Sequence, residues 1–266
     1  MTASGIGSVP ASGGPRAMTL WRLERLRLIR TYRWLALFGV YVVFGLLGPV
    51  MAAYLPDILG RVQSDMTIIV PPPQPRDGLV NYVDQVTQTG VIVVVAVAVG
   101  TLAFDAHPGI STFLRTRSTS VWSLLRPRIG VILAAAVLAY ALGTFAAWYA
   151  TAVLLGPLPA GPVFAGLLCA ATYLGFVITV VTAATAITRS TLGAVGIALS
   201  ALLLVSIIGS LGPLHDWLPS TLAGAPAELL ATGTSLTDYL PALAVAIASG
   251  SLVLVFAVRQ LDKREV

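Results

Sequence analysis

The chain has 266 residues, of which 57% are hydrophobic and 10% charged, and its mean hydropathy is +0.89; a soluble domain has about 45–50% apolar and about 25% charged residues. This excludes a water-soluble globule, and at about 20 apolar residues per crossing the length holds six or seven membrane spans but no sizeable soluble domain. The net charge of +5 comes from basic residues at the ends of apolar runs, with no aromatic-interleaved basic patch, so it reports membrane orientation and argues against nucleic acid as a partner.

Residues 1–18 are small and rich in Gly, Pro and Ser, which predicts a disordered cytoplasmic tail ahead of one membrane domain, 19–266. Residues 19–33 alternate arginine with Trp21, Leu23, Leu26, Leu28 and Ile29. Met18, Trp21, Leu28 and Tyr32 fall on one stripe at helical spacing, so the stretch reads either as a helix lying at the membrane interface or as the positive flank of the first span. Six apolar segments then lack any ionisable side chain: 34–53, 86–104, 129–155, 163–188, 191–211 and 240–258. They predict an all-α bundle of six transmembrane helices, whose many Gly, Ala, Ser and Thr residues permit close helix approach. The single cysteine, Cys169, lies inside one of them and is read as packing.

Between the spans, the outer loop 54–82 contains Pro71, Pro72, Pro73 and Pro75, which favour extended backbone. Asn81, Asp84, Gln85 and Gln88 follow at helical spacing, as the lining of an external vestibule or as the solvated first turns of a helix. Loop 105–128 carries two apolar clusters among four arginines, predicting short helices along the membrane surface or docked on a partner, the second ended by Pro127. Segment 212–239 is apolar but broken by Pro213, Pro219, Gly224, Pro226 and Gly233. It is too short for two crossings and predicts an external re-entrant hairpin, with Trp217 at the headgroup level. Arg16, Arg22, Arg25, Arg27, Arg30, Arg33, Arg115, Arg117, Arg126, Arg128, Arg189, Arg259, Lys263 and Arg264 share one side, 14 of the 16 basic residues. Arginine and lysine are retained in the cytoplasm, so both termini are expected there, in the cell membrane.

No catalytic constellation is visible. The two histidines, His107 and His215, lie in loops on opposite sides and supply no metal cluster. No ionisable Asp, Glu, Lys, Arg or His lies in the spans, which weakens an ion-coupled carrier as the alternative reading but leaves it sodium sites built from carbonyls and hydroxyls, while scattered polar residues rank a membrane-embedded lipid-modifying enzyme below it. The only lysine is Lys263, near the C-terminus, so the chain has no P-loop and any ATP and Mg would be bound by another subunit. One lysine beside 15 arginines fits a GC-rich, bacterial genome.

An arginine-rich N-terminal helix, six spans with both ends inside, a long cytoplasmic loop after the second and a broken external segment before the sixth together resemble the permease subunits of type-2 ABC exporters. Asp105, Gly109, Ser111, Phe113, Leu114 and Arg115 stand in an order similar to that family's loop motif, with Arg126, Pro127 and Arg128 loosely matching the Pro-x-x-Arg that follows. The resemblance implies a second permease copy, as homodimer or related heterodimer, and a nucleotide-binding ATPase subunit docked beneath. It makes the loop of Asp105, Gly109, Phe113, Leu114, Arg115 and Arg117 a coupling helix, with Phe113, Leu114, Arg115 and Arg117 as its ATPase contacts. Independently of the resemblance, Trp217, Pro219, Pro226 and Glu228 mark the external re-entrant segment.

Overall fold

The computed structural model describes residues 20–62, 72–102, 121–210, 212 and 215–263, and among them it is helical without strands. Helix α1 (Leu20–Arg30) ends where Tyr32 takes a left-handed backbone, φ 54°, turning the chain sharply into α2 (Arg33–Val62). Tyr32 therefore leaves the stripe it was expected to share with Trp21 and Leu28. Leu28 is buried, Trp21 half exposed, and Leu23, Leu26 and Ile29 face outward.

The second span starts earlier than its apolar run. Helix α3 (Pro75–Gln85) passes through a five-residue π turn, Val86–Gly90, into α4 (Val91–Leu102), giving a 28-residue apolar helix from Pro75 to Leu102. Pro75 occupies the first helical turn, where its missing N–H costs nothing, and Asp77 accepts a hydrogen bond from the Gln74 N–H at 2.7 Å. The expected loop 54–82 is thus shortened from both sides: α2 runs on to Val62, and Leu79, Tyr82 and Val83 are core residues.

Helix α5 (Val121–Leu154) is continuous through Pro127, correcting the expectation of a separate surface helix ended there. In the second turn this proline forfeits one backbone bond and the helix absorbs it. Helices α6 (Ala160–Ile187) and α7 (Thr191–Gly209) are joined by a three-residue turn in which the Ser190 hydroxyl accepts from the Gly193 N–H. Helix α8 (Thr221–Ala231) and two short 3-10 turns precede α9 (Leu240–Lys263).

Six helices, in α2, α3–α4, α5, α6, α7 and α9, are long and apolar enough to cross a bilayer. Their outer surfaces are apolar as well: Leu192 is 83% and Leu252 72% exposed. No water-soluble surface carries that pattern at this density, and the chain is a multi-pass membrane protein. The core lies where α2 packs along α5 and α9 along α6. Gly45 of α2 sits on the Gly143 carbonyl of α5, and Gly48 on the Tyr82 backbone, so the helices meet where side chains are missing. The tail 1–18 lies outside the described residues, as do Asp105, Gly109, Phe113, Leu114, Arg115 and Arg117.

Candidate functional site

Polar groups gather where α2, α3–α4, α5 and α8 meet. The π turn places Val86 opposite Val91, whose N–H bonds the Val86 carbonyl five residues back. Such turns inside helices occur frequently at functional sites, because they widen the helix and rotate the residues that follow. Around this one the sequence is polar on both faces.

The inward face carries Tyr82 and Thr87, beside Gly90. Tyr82 donates to the Tyr140 carbonyl at 3.1 Å, an oxygen that also accepts from Thr144 at 3.0 Å. Tyr41 and Tyr140 pack edge to face with centroids 5.8 Å apart, and Tyr82 lies 6.0 Å from Tyr140. A Cβ on Gly90 would come within 3.1 Å of the Tyr41 ring and hydroxyl, so glycine is what lets this tyrosine lie against the turn. A cavity lined by Tyr41, Thr87, Tyr140, Tyr173 and Ala223 has a volume of about 10 Å³, the room of at most one water. The tyrosine centre is packed nearly solid.

The outward face is different. Asp84, Gln88 and Thr89 are exposed and Asn81 and Gln85 half exposed, on a helix whose other exposed residues are largely aliphatic. Gln88 lies near the middle of the 28-residue span, roughly 20 Å from each end at 1.5 Å per residue. The expectation that no span holds an ionisable side chain changes here: because the helix begins at Pro75, Asp84 falls within it.

Helix α8 lies against this region. Thr87 donates to the Ala223 carbonyl at 3.4 Å and Arg76 to the Ala231 carbonyl at 3.1 Å, so α8 runs antiparallel to α3 along two to three turns. Leu222 and Ala225 are fully buried, Pro226 is seated on Gly166 of α6, and Pro219 is buried. Glu228 accepts from the Tyr239 hydroxyl at 2.6 Å, fastening α8 to the start of α9, whereas Trp217 is 56% exposed. Of the four residues marking this segment, three are brought into one packed unit and Trp217 stands apart.

A second polar contact escapes sequence reading. Glu24 of α1 receives the Arg128 guanidinium at 2.8 Å, with both side chains about nine-tenths shielded. The other Glu24 oxygen is buried, has no hydrogen-bond partner among the described residues and stands 3.9 Å from Arg27. Trp21 covers Gly130 two residues further along α5, and Arg33 donates to the Gly100 carbonyl at the end of α4. Glu24 is the one acidic residue in a stretch of arginines, which is the signal that could have singled it out.

Among the described residues no group of three His, Cys, Asp or Glu side chains could hold a metal ion. The arrangement consists of hydroxyls, amides, one carboxylate and aromatic rings on packed helices. Compared with known proteins, the chain matches no family model, no curated protein and no solved structure.

Proposed function

We propose that the chain is the membrane-spanning permease subunit of an ATP-driven exporter, working beside a second copy and energised by a separate nucleotide-binding subunit. The observation that carries this reading is the outward polar face of α3 and the π turn. Asn81, Asp84, Gln88 and Thr89 fall within the apolar helix Pro75–Leu102 with no helix among the described residues covering them, and polar side chains within a span face a bundle interior or a water-filled path in working membrane proteins. The packed tyrosine centre supports the same reading, because a solute then passes between chains, along this face. In this reading the arginine-rich end is cytoplasmic, and α8 is the re-entrant segment, its first turn some 12 Å deeper in the bilayer than its last. Loop 103–120 then meets the ATPase.

Disulfide trapping tests the pairing. In a Cys169→Ala background, Gln88→Cys is expected to crosslink two chains on mild oxidation, while Leu252→Cys on α9 does not. Crosslinking at Leu252 and not at Gln88 would place the pairing face elsewhere and remove the main support for the reading.

Asp84 favours one rival, an ion-coupled carrier, since a carboxylate at that depth is where a coupling ion binds. The two part on one substitution: Asp84→Asn abolishes ion-coupled transport, but leaves ATP-driven transport within a few-fold.

A further inference from the structure

A groove of about 500 Å³ opens sideways on the surface that six spanning helices would present to lipid. It is lined by Leu133 and Val137 of α5, Gly175 and Thr179 of α6, and Gly250 and Leu254 of α9. The volume is within the range of small-molecule sites. It is small for a helix, which is about 10–12 Å across with its side chains and would fill this space in roughly one turn. An extended chain fits it better.

The chemistry of the walls narrows the occupant. Three hydroxyls line the groove, and each donates to a carbonyl of its own helix: Thr172 to Leu168 at 3.0 Å, Thr179 to Phe176 at 2.7 Å and Ser251 to Ile247 at 2.7 Å. With their protons committed, the walls present hydrocarbon and have no free donor for a polar ligand. Beyond the basic end of the groove, past Ile129, stands a cation. Arg126 is exposed, has no ion-pair partner among the described residues, and precedes Leu133 by seven positions on α5, hence on the same helix face. Trp21, packed on Gly130, lies between them in height and marks the level where indole rings sit among headgroups.

We infer that this groove is a binding site for a phospholipid of the leaflet at the basic end, its acyl chain lying along α5, α6 and α9 and its anionic headgroup meeting Arg126. Length, apolarity and an exposed cation at one end match an anionic amphiphile. The inference rests on the six helices crossing a bilayer and not on the transporter reading, so it survives the absence of an ATPase partner.

The test is native mass spectrometry of the full chain released from nanodiscs of phosphatidylglycerol and phosphatidylcholine, with thermal unfolding run alongside. Wild type is expected to keep one phosphatidylglycerol, preferred about fivefold over phosphatidylcholine, the factor expected for one arginine near a charged surface. Arg126→Gln is expected to bind both lipids alike. Gly175→Leu fills space in which a Cβ would meet no atom within 4 Å, and it is expected to lose the bound lipid while unfolding at the wild-type temperature. Equal retention of the two lipids by wild type would overturn the inference, as would a Gly175→Leu chain that keeps its lipid. An interchain disulfide from Gly175→Cys in the Cys169→Ala background would also overturn it, by assigning the groove to a second copy.

Discussion

Helices α1 and α8 are both 11 residues long, both lie outside the six spans, and are held in opposite ways. Helix α8 is part of the core: Leu222 and Ala225 are inaccessible, and its backbone is pressed on Gly166. Helix α1 touches the bundle along one narrow line, Trp21, Glu24 and Leu28, and turns Leu23, Leu26 and Ile29 outward. One is fixed by shape, the other by charge at the boundary between protein, lipid and water. Packing of the first kind tolerates no added atom, whereas a helix held by one ion pair and one ring can shift as a unit when that pair is altered. In the proposed permease reading, α1 would be the element that follows a moving partner and α8 the one that stays.

The largest expected effect falls on the charged contact. Arg128→Met leaves Glu24 buried without its cation, which costs about 3–5 kcal/mol; thermal unfolding in detergent should show it, and Glu24→Leu with Arg128→Met should recover most of the loss. If the double variant is as unstable as the single one, α1 is not held by this pair. Next comes shape. A Cβ on Gly166 would lie 2.7 Å from the Pro226 Cα, so Gly166→Ala forces α8 and α6 apart, at about 1–3 kcal/mol. The matching change at Gly161, where a Cβ meets nothing, should leave the unfolding temperature unmoved.

Two smaller changes sharpen the contrast. Tyr32 holds a left-handed backbone at the corner after α1, and Tyr32→Gly is expected to stabilise the chain by about 1 kcal/mol, because glycine adopts that conformation without a Cβ clash. A loss of stability instead would mean that the exposed ring contributes more than the strain it causes. Thr87→Val removes one long hydrogen bond to the Ala223 carbonyl, and with interhelical bonds in membranes averaging about 0.6 kcal/mol the change should be close to the limit of detection. A drop of several degrees would make Thr87 a principal fastening of α8.

The sequence makes the six apolar helices plain, since hydrocarbon imposes both length and composition on anything that crosses it. It is misleading at the second span, because Pro75 and Asp77 read as part of the outer loop when counted for hydropathy and the apolar run begins only at Val86. The same residues start a helix properly: proline and an acid suit a first turn, and Leu79, Tyr82 and Val83 recur at the spacing of a buried face. Pro127 misleads in the reverse sense, a helix breaker that sits early enough to be absorbed. The candidate site was half legible. Asn81, Asp84, Gln85 and Gln88 could be seen as a stripe, but the tyrosines that face them inward come from α2, α3 and α5, and no spacing within one helix links residues 41, 82 and 140. Glu24 and Arg128 are 104 positions apart, and only the fold makes them partners.

The most direct test of the permease reading is isolation of the tagged chain from its native membrane in mild detergent, with mass spectrometry and an ATPase assay on what accompanies it. The account predicts a P-loop ATPase in stoichiometric amount, with ATP turnover that follows the complex through purification. Recovery of the chain without such a subunit, repeated after crosslinking in the membrane, would contradict it and turn attention to Asp84 as the site of ion coupling.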